Sequence, residues 1–418
     1  MIMEINPKRN LLGINGLGRI GKLTLWYHLQ NRYFDGFVVN VGREVGKSLE
    51  DVIQIIETDS TYGSIGRFLY GRTRGNCNIE IVDEAIGLFE IDGLPIKILR
   101  TERNPRNINW EKEGIRLVVD CSGKFLDPTV PADSPGGSMR GHLEAGAEKL
   151  VASAPFKIRD ASLKVPDDCE MLIYGVNHLD YDPRKHKIIS AASCTTTGLA
   201  HMMKPLMETE ETSRIMTASM STVHASTSTQ SILDAVPQSG TSDLRKNRSV
   251  LNNIIITSTG AARALEKVIP EIQQIGFMAD SVRIPINTVS LLTLNVTFHT
   301  RLGAAGEPIV SRTLINDIYR KAAAGPQQGL LMYSEKQNVS SDLIGYEAAI
   351  TIEGHETHTR TGFMNLSSEM LEGRGLYSSD NIRVPVTHAK IFGWYDNEYG
   401  SYVTCLGKLT VHIHKNMR

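Results

Sequence analysis

Short apolar runs alternate with helix-forming stretches over the first half of the chain. Residues 11–15 (Leu-Leu-Gly-Ile-Asn) read as a buried strand, 22–30 as a leucine-bearing helix and 37–41 as a second strand, with further short strands at 117–119 and 150–152. Strands spaced by helices predict parallel βαβ units. After about residue 190 the texture changes. Residues 292–299 alternate strictly between apolar and polar, the pattern of a strand with one wet face; 214–224 and 402–414 look similar, while Ala261–Val268 and 315–324 read as helices. The pattern therefore predicts an α/β Rossmann-type parallel-sheet domain followed by an α+β antiparallel-sheet domain. The expected boundaries are 1–193, rejoined by about 397–418, and 194–396. Two stretches, 128–141 and 343–383, read as inserted loops, the second with strands of its own.

Charge narrows the partners. The 418 residues carry 45 Lys plus Arg against 46 Asp plus Glu, a net −1, so nothing suggests a nucleic-acid or anionic membrane partner. No run approaches the roughly 18 apolar residues of a membrane helix. The first ten residues have no apolar segment after their charges, so no secretory signal is expected. Five scattered cysteines (Cys77, Cys121, Cys169, Cys194, Cys405) form no C-x-x-C pair, which fits a reducing, cytoplasmic setting and argues against disulfides or structural zinc. His355 and His358 read as exposed strand residues, and no metal is expected.

Gly16-Leu17-Gly18-Arg19-Ile20-Gly21 is a G-x-G-x-x-G between a strand and a helix. Glycines there permit a tight turn, close approach of a pyrophosphate and close packing of helix on strand, while the helix N-terminus offers free N–H groups to the anion. The acidic residue that usually receives the adenosine ribose hydroxyls should lie near the end of the second strand. Val41 stands there instead. It neither accepts those bonds nor repels a 2′-phosphate, and Arg43 and Lys47 offer positive charge, with Glu44 between them. NAD or NADP is the expected cofactor, with relaxed or NADP-leaning choice. Residues 42–48 imitate a P-loop but lack its first glycine, because Val41 occupies that place.

Residues 190–198 (Ser-Ala-Ala-Ser-Cys-Thr-Thr-Thr-Gly) run from an apolar strand into a helix-forming sequence. Cys194 is therefore expected at a helix N-terminus, where dipole and free N–H groups favour thiolate over thiol. A thiolate nucleophile wants an imidazole, and His224 follows where a strand could end.

In order along the chain come Asn15 to Gly21, Ser193-Cys194-Thr195-Thr196, Thr222-Val223-His224, residues 258–262 (Ser-Thr-Gly-Ala-Ala) and residues 394–398 (Trp-Tyr-Asp-Asn-Glu). This series resembles the phosphorylating glyceraldehyde-3-phosphate dehydrogenase family, from about residue 11 to 410 with insertions. The resemblance implies that Cys194 attacks an aldehyde and that His224 carries the proton as hydride leaves for a nicotinamide. Inorganic phosphate then cleaves the thioester. Thr227 and Arg283 match the site for the substrate phosphate; Ser193, Thr195, Thr259 and Gly260 match that for the attacking phosphate. Asn397 would hold the nicotinamide carboxamide, and Ser122 joins the cofactor contacts. A homotetramer is also implied. Departures stand at Val41, Thr197, Gly198 and Ser401. Other phosphorylated aldehydes, such as erythrose 4-phosphate, and a non-catalytic interaction role are the alternatives.

Overall fold

A computed structural model describes residues 10–71, 76–237, 239–368 and 382–417. They form two compact units, one running to Cys194 and taking in the chain again from Tyr402, the other Thr195–Ser401.

In the first unit the strands are β1 (Leu11–Asn15), β2 (Gly36–Asn40), a small pair β3 (Thr58–Asp59) and β4 (Gly63–Ser64), β5 (Ile79–Asp83), β6 (Leu88–Ile91), β7 (Leu94–Leu99), β8 (Leu117–Asp120), β9 (Lys149–Ala152), β10 (Cys169–Met171) and β11 (Ile188–Ser190). Nine of them make one sheet in the order β10-β11-β9-β8-β1-β2-β7-β6-β5. From β10 to β7 every pairing is parallel; only β7–β6 and β6–β5 are antiparallel. β1, β2, β8 and β9 are buried along their whole length, as parallel strands covered on both faces must be. The helix Arg19–Asn31 buries nine consecutive residues, Gly21 to Leu29. It packs so closely because a Cβ on Gly21 would lie 1.8 Å from the Gly16 carbonyl oxygen.

Residues 402–414 depart from the expected strand: they lie largely in a helix, Cys405–Asn416, after a π-helical turn at Tyr399–Thr404. Cys405, Leu406, Gly407, Leu409, Thr410 and Ile413 are its buried positions, dominated by the i, i+4, i+8 stripe of a helix. Its Gly407 lies against Tyr27, where a Cβ would come within 2.1 Å of the ring.

The second unit holds β12 (Ile215–Ala225), β13 (Ile255–Thr257), β14 (Gly276–Ile284), β15 (Ser290–His299), β16 (Leu331–Ser334), β17 (Ile350–Glu353), β18 (His358–Leu366) and β19 (Ile382–Tyr395). Their order is β13-β14-β12-β15-β19-β17-β16, with β18 also on β19. The sheet is mixed rather than antiparallel throughout, because β12–β14 and β16–β17 are parallel. The strict alternation in β15 appears as alternate burial along all ten residues.

The stretch 343–383 is not a loop hung outside this sheet. β17 and β18 come from it, and both pair with the 14-residue β19; positions 369–381 lie outside the described residues. The stretch 128–141 is irregular until Ser138, which caps the helix Met139–Glu144 by accepting from Gly141 N at 3.2 Å. Arg140 fastens that end through Asp168, at 2.8 and 3.0 Å, and the Pro128 carbonyl.

Candidate functional site

In the first unit, the carboxyl ends of β1, β2 and β8 carry the glycine loop. Gly16 has φ +96°, donates to the Asn40 carbonyl at 2.8 Å, and would bring a Cβ within 3.0 Å of Ser122 N. It can only be glycine. Gly18 caps the following helix without a side chain, and a Cβ there would meet nothing within 4 Å. The helix mouth is thus open and lined by backbone, as a pyrophosphate requires. Arg19 turns to Asp59 in an ion pair, joined by Lys22 Nζ at 2.8 Å. Burial alone would raise the Asp59 carboxyl, but hydrogen bonds from Lys22, from the Thr61 and Tyr62 amides and from Arg19 outweigh it and hold it at about 2. Ile20 is half-buried beside them.

Beneath this loop runs a buried polar chain absent from the sequence expectations. Trp110 Nε1 donates to His142 Nδ1 at 2.9 Å, so the imidazole proton sits on Nε2 and is donated to Asp120 Oδ2 at 3.0 Å. Asn15 donates to the same oxygen at 3.2 Å, Ser122 N donates to Oδ1 at 2.7 Å, and Asn40 donates to Asn15 Oδ1 at 2.8 Å. Desolvation works against ionised Asp120, yet these donors, His142 first, keep its carboxyl below the ordinary range. The aspartate thereby fixes the exposed Ser122 and the β1 end together.

Val41 follows β2 and donates its N–H to the Leu99 carbonyl at 2.8 Å. Gly42 (φ +68°) turns the chain, and Arg103 Nε reaches its carbonyl at 3.1 Å. Arg43 and Lys47 are exposed, while Glu44 lies 3.7 Å from Arg100.

Cys194 is the first residue of the helix Cys194–Glu208, which continues past Pro205. The turn delivering it is held in an uncommon shape. Ala192 adopts φ +57°, its N–H donates to Ser190 Oγ at 3.1 Å, and its carbonyl accepts from Tyr402 Oη at 3.0 Å. A left-handed alanine costs of order 1 kcal/mol, and such strain persists where the surroundings impose it. Ser193 closes that turn. Burial raises the Tyr402 phenol well above its ordinary range, so it stays a donor at any working pH.

In the second unit, Thr195 occupies the first helical turn and is 5 % exposed. Its hydroxyl lies 3.1 Å from Tyr395 Oη, which is 2.7 Å from Thr222 Oγ1. The Tyr395 ring stands edge-on to His224, centroids 5.9 Å apart. His224, near the end of β12, bonds the Ala225 carbonyl through Nδ1 at 2.8 Å. Arg283 is the register partner of His224 on β14; its Nη1 meets His224 Nδ1 and donates to the Ala225 carbonyl at 3.0 Å. Burial, and then the Arg283 cation, push the imidazole down to about 3, so His224 is neutral at physiological pH.

Asn397 is buried past β19. Its Oδ1 accepts from Ser290 Oγ at 2.9 Å, and Ser290 Oγ in turn accepts from Ala225 N at 3.0 Å, which joins Asn397 to the end of the His224 strand. Asp396 shapes the turn by accepting from Thr288 Oγ1 and from the Gly345, Glu398 and Tyr399 amides. Thr227 stands exposed beyond β12, bonded to Thr229 and Gln230. Thr259 and Gly260 open a separate helix, Ala261–Val268, where Thr259 Oγ1 accepts from Ala261 N at 3.2 Å. The structure thus groups Thr195, His224, Arg283 and Asn397 through hydrogen bonds and strand register, and leaves Thr227, Thr259 and Gly260 on their own loops. Tyr395, Ser290, Asp120 and Tyr402 gave one signal at most, Tyr395 as part of a named motif; their roles come from partners far away in sequence.

Residues 11–128 match the family model described as the NAD binding domain of glyceraldehyde 3-phosphate dehydrogenase, and 193–370 match its C-terminal domain. The chain is 32 % identical over 403 residues to glyceraldehyde-3-phosphate dehydrogenase 2 of Streptomyces avermitilis, covering 96 % of this chain and 98 % of that protein. It is 33 % identical to the Streptomyces coelicolor enzyme and 32 % to glyceraldehyde-3-phosphate dehydrogenase 2 of Danio rerio, with the same two coverages.

Proposed function

Since the chain belongs to the glyceraldehyde-3-phosphate dehydrogenase family, we propose that it is a phosphorylating enzyme, converting glyceraldehyde 3-phosphate and inorganic phosphate to 1,3-bisphosphoglycerate through a thioester on Cys194. The nicotinamide cofactor, when bound, supplies the acceptor for hydride. Its fit rests on the backbone cradle at Gly16, where a Cβ would crowd Ser122, and on the open helix mouth at Gly18.

Cys194 adds its sulfur to the aldehyde carbon, and the thiol's proton passes to the carbonyl oxygen to give a hemithioacetal. His224 accepts that hydroxyl proton as the C–H bond breaks, its ring being neutral at physiological pH. The helix N-terminus favours the developing oxyanion and the thiolate alike. The attacking phosphate oxygen then forms the C–O bond as the C–S bond breaks, and Cys194 leaves as thiolate. Thr195, Ser193, Thr259 and the Gly260 amide are the expected donors to that phosphate; Thr227 and Arg283 are those to the substrate's own phosphate. Asn397, held by Ser290, is the expected contact for the nicotinamide carboxamide.

The single observation that carries this reading is Cys194 opening a helix by way of the left-handed Ala192 turn. Val41, with Arg43 and Arg103 around the Gly42 turn, supports use of NADP as well as NAD. Exposed apolar side chains at Ile232 (67 %), Leu233 (73 %), Val236 (91 %), Ile254 (75 %) and Met278 (73 %) support assembly of copies, for which a homotetramer is the family expectation. Steady-state assays with NAD and NADP, with and without phosphate, test the proposal on wild type and Cys194→Ser. Reduction of cofactor that depends on phosphate and falls at least 1,000-fold in the variant is expected. Turnover independent of phosphate, or surviving in Cys194→Ser, overturns it.

A further inference from the structure

A cavity of about 520 Å³ opens at the amino ends of β9 and β11, in the first unit. Both strands run parallel to β8 and β1, so this is the end of the sheet opposite the glycine loop. The volume lies in the roughly 300–1,000 Å³ range of small-molecule sites. Strand register gives the cavity its charge. Leu150 pairs with Ile188, so Lys149 and Lys187, one residue earlier on each strand, stand side by side on one face, their backbones about 4.8 Å apart. Both line the cavity, and Arg184 joins them. Like charges set opposite one another on neighbouring strands repel, and an anion between them relieves the repulsion.

Among the described residues no carboxylate supplies that anion. Lys149 is 8 % exposed; its ammonium donates to the Pro183 and His186 carbonyls at 2.5 and 2.6 Å, with the Tyr181 ring 5.9 Å away. Carbonyl dipoles hold this buried cation, and the last of its three N–H groups has no acceptor among the described residues. Arg184 and Lys187 are exposed, and neither has an ion-pair partner among the described residues. Glu148 also lines the cavity, but Arg116 holds both its oxygens, at 2.5 and 2.9 Å. Burial, and then the charge of Lys187, lower the Lys149 ammonium, with Glu148 and Asp182 opposing them less. Leu143, Pro183 and Met417 give the same cavity an apolar wall.

We propose that this cavity is a second ligand site, for an organic phosphate whose dianion lies among Lys149, Lys187 and Arg184 and whose carbon body lies on Leu143, Pro183 and Met417. A monocarboxylate would answer one of the three charges, and inorganic phosphate would leave the apolar wall wet. Charge-assisted bonds from lysine and arginine are the usual means of holding a phosphate. None of these residues is among those expected to hold the two phosphates of the reaction.

The probe is phenyl phosphate, titrated into the full chain with NAD present and isotope label in the methionine methyls. Met417, identified by the signal lost in Met417→Leu, lines this cavity, so its methyl resonance reports this site. A saturable shift is expected. Exposed ion pairs are worth up to about 5-fold each, so the double variant Arg184→Ala with Lys187→Ala should raise the Kd by about 5- to 25-fold. Inorganic phosphate should shift the same resonance more weakly, and benzyl alcohol not at all. The proposal is overturned by no saturable shift at Met417, by a Kd in the double variant within twofold of wild type, by equal affinity for inorganic and phenyl phosphate, or by a shift with benzyl alcohol.

Discussion

His28 sits in the helix behind the glycine loop with no exposure, and neither ring nitrogen has a hydrogen-bond partner among the described residues. Aromatic neighbours surround it: Tyr27 and Phe34 at 5.1 Å centroid distance and Phe37 at 6.5 Å. Desolvation pushes its pKa from 6.5 to about 3. The unfolded chain therefore binds one more proton than the folded chain between those values, and stability falls as pH falls through 6.5. The loss is RT ln(1 + 10^(6.5 − pH)), about 0.8 kcal/mol at pH 6 and about 2 kcal/mol at pH 5, while above pH 7.5 it vanishes. At pH 5 the result hardly depends on the folded value as long as that value stays below about 4. His28→Leu removes the proton site. At pH 8 two effects nearly cancel, because losing edge-on ring contacts costs about 0.5–1.5 kcal/mol each and removing desolvated nitrogens returns about 1–3 kcal/mol. The decisive measurement is urea unfolding followed by fluorescence of Trp26 and Trp110, which lie in the same unit, at pH 8, 6 and 5. The variant should gain about 2 kcal/mol on wild type between pH 8 and pH 5. Parallel pH curves for the two proteins would refute the reasoning.

Three further outcomes are expected. Val41→Asp places a carboxylate where a 2′-phosphate would lie, and like charges about 5 Å apart at an effective dielectric of about 20 repel by about 3 kcal/mol; kcat/KM with NADP should fall at least tenfold while that with NAD holds or rises. Gly21→Ala forces a methyl to within 1.8 Å of the Gly16 carbonyl oxygen, so the helix must move off the loop; titration by NADH fluorescence should show cofactor affinity reduced about 100-fold or more, and retained affinity would contradict the packing. His142→Leu strips the buried Asp120 of its main partner. Leaving a buried carboxylate short of that hydrogen bond costs about 1–3 kcal/mol, read as a drop in thermal midpoint at pH 7.

The parts of the fold visible in the sequence are those whose signals are local. The glycine loop announces itself because three positions forbid a Cβ or need an open mouth, and β15 because one wet face imposes period two over ten residues. The helix Cys405–Asn416 reads as a strand for the opposite reason: Thr410, Val411 and Ile413 within it are β-branched, as are Val403 and Thr404 just before it. Cys194 and His224 were legible because few side chains do nucleophilic or proton-transfer work. The groups that hold them were not. Tyr402 reaches the Ala192 carbonyl across 210 positions, Thr195 meets Tyr395 across 200 and Ser290 meets Asn397 across 107. No window of sequence contains such pairs, and each residue alone looks like ordinary core.

The parallel pairing of β12 with β14, which the sequence pattern did not suggest, is the feature on which the cationic part of the site depends. Register sets Thr217 opposite Gly276 and runs with both chains to Ala225 opposite Ile284, so Arg283 falls beside His224. With the same ends paired antiparallel, Arg283 would face Ala218 instead, six residues from His224 along β12, or about 20 Å at roughly 3.3 Å per residue. It could neither reach the Ala225 carbonyl nor bear on the imidazole. β15 then runs back, and β19 runs forward again beside it, which brings Ser290 and Tyr395 to that same edge. Strand direction therefore decides which polar residues meet: His224, Arg283, Tyr395 and Asn397 come from three strands and a turn separated by up to 173 residues, and they share one end of the sheet because three of the strands point the same way.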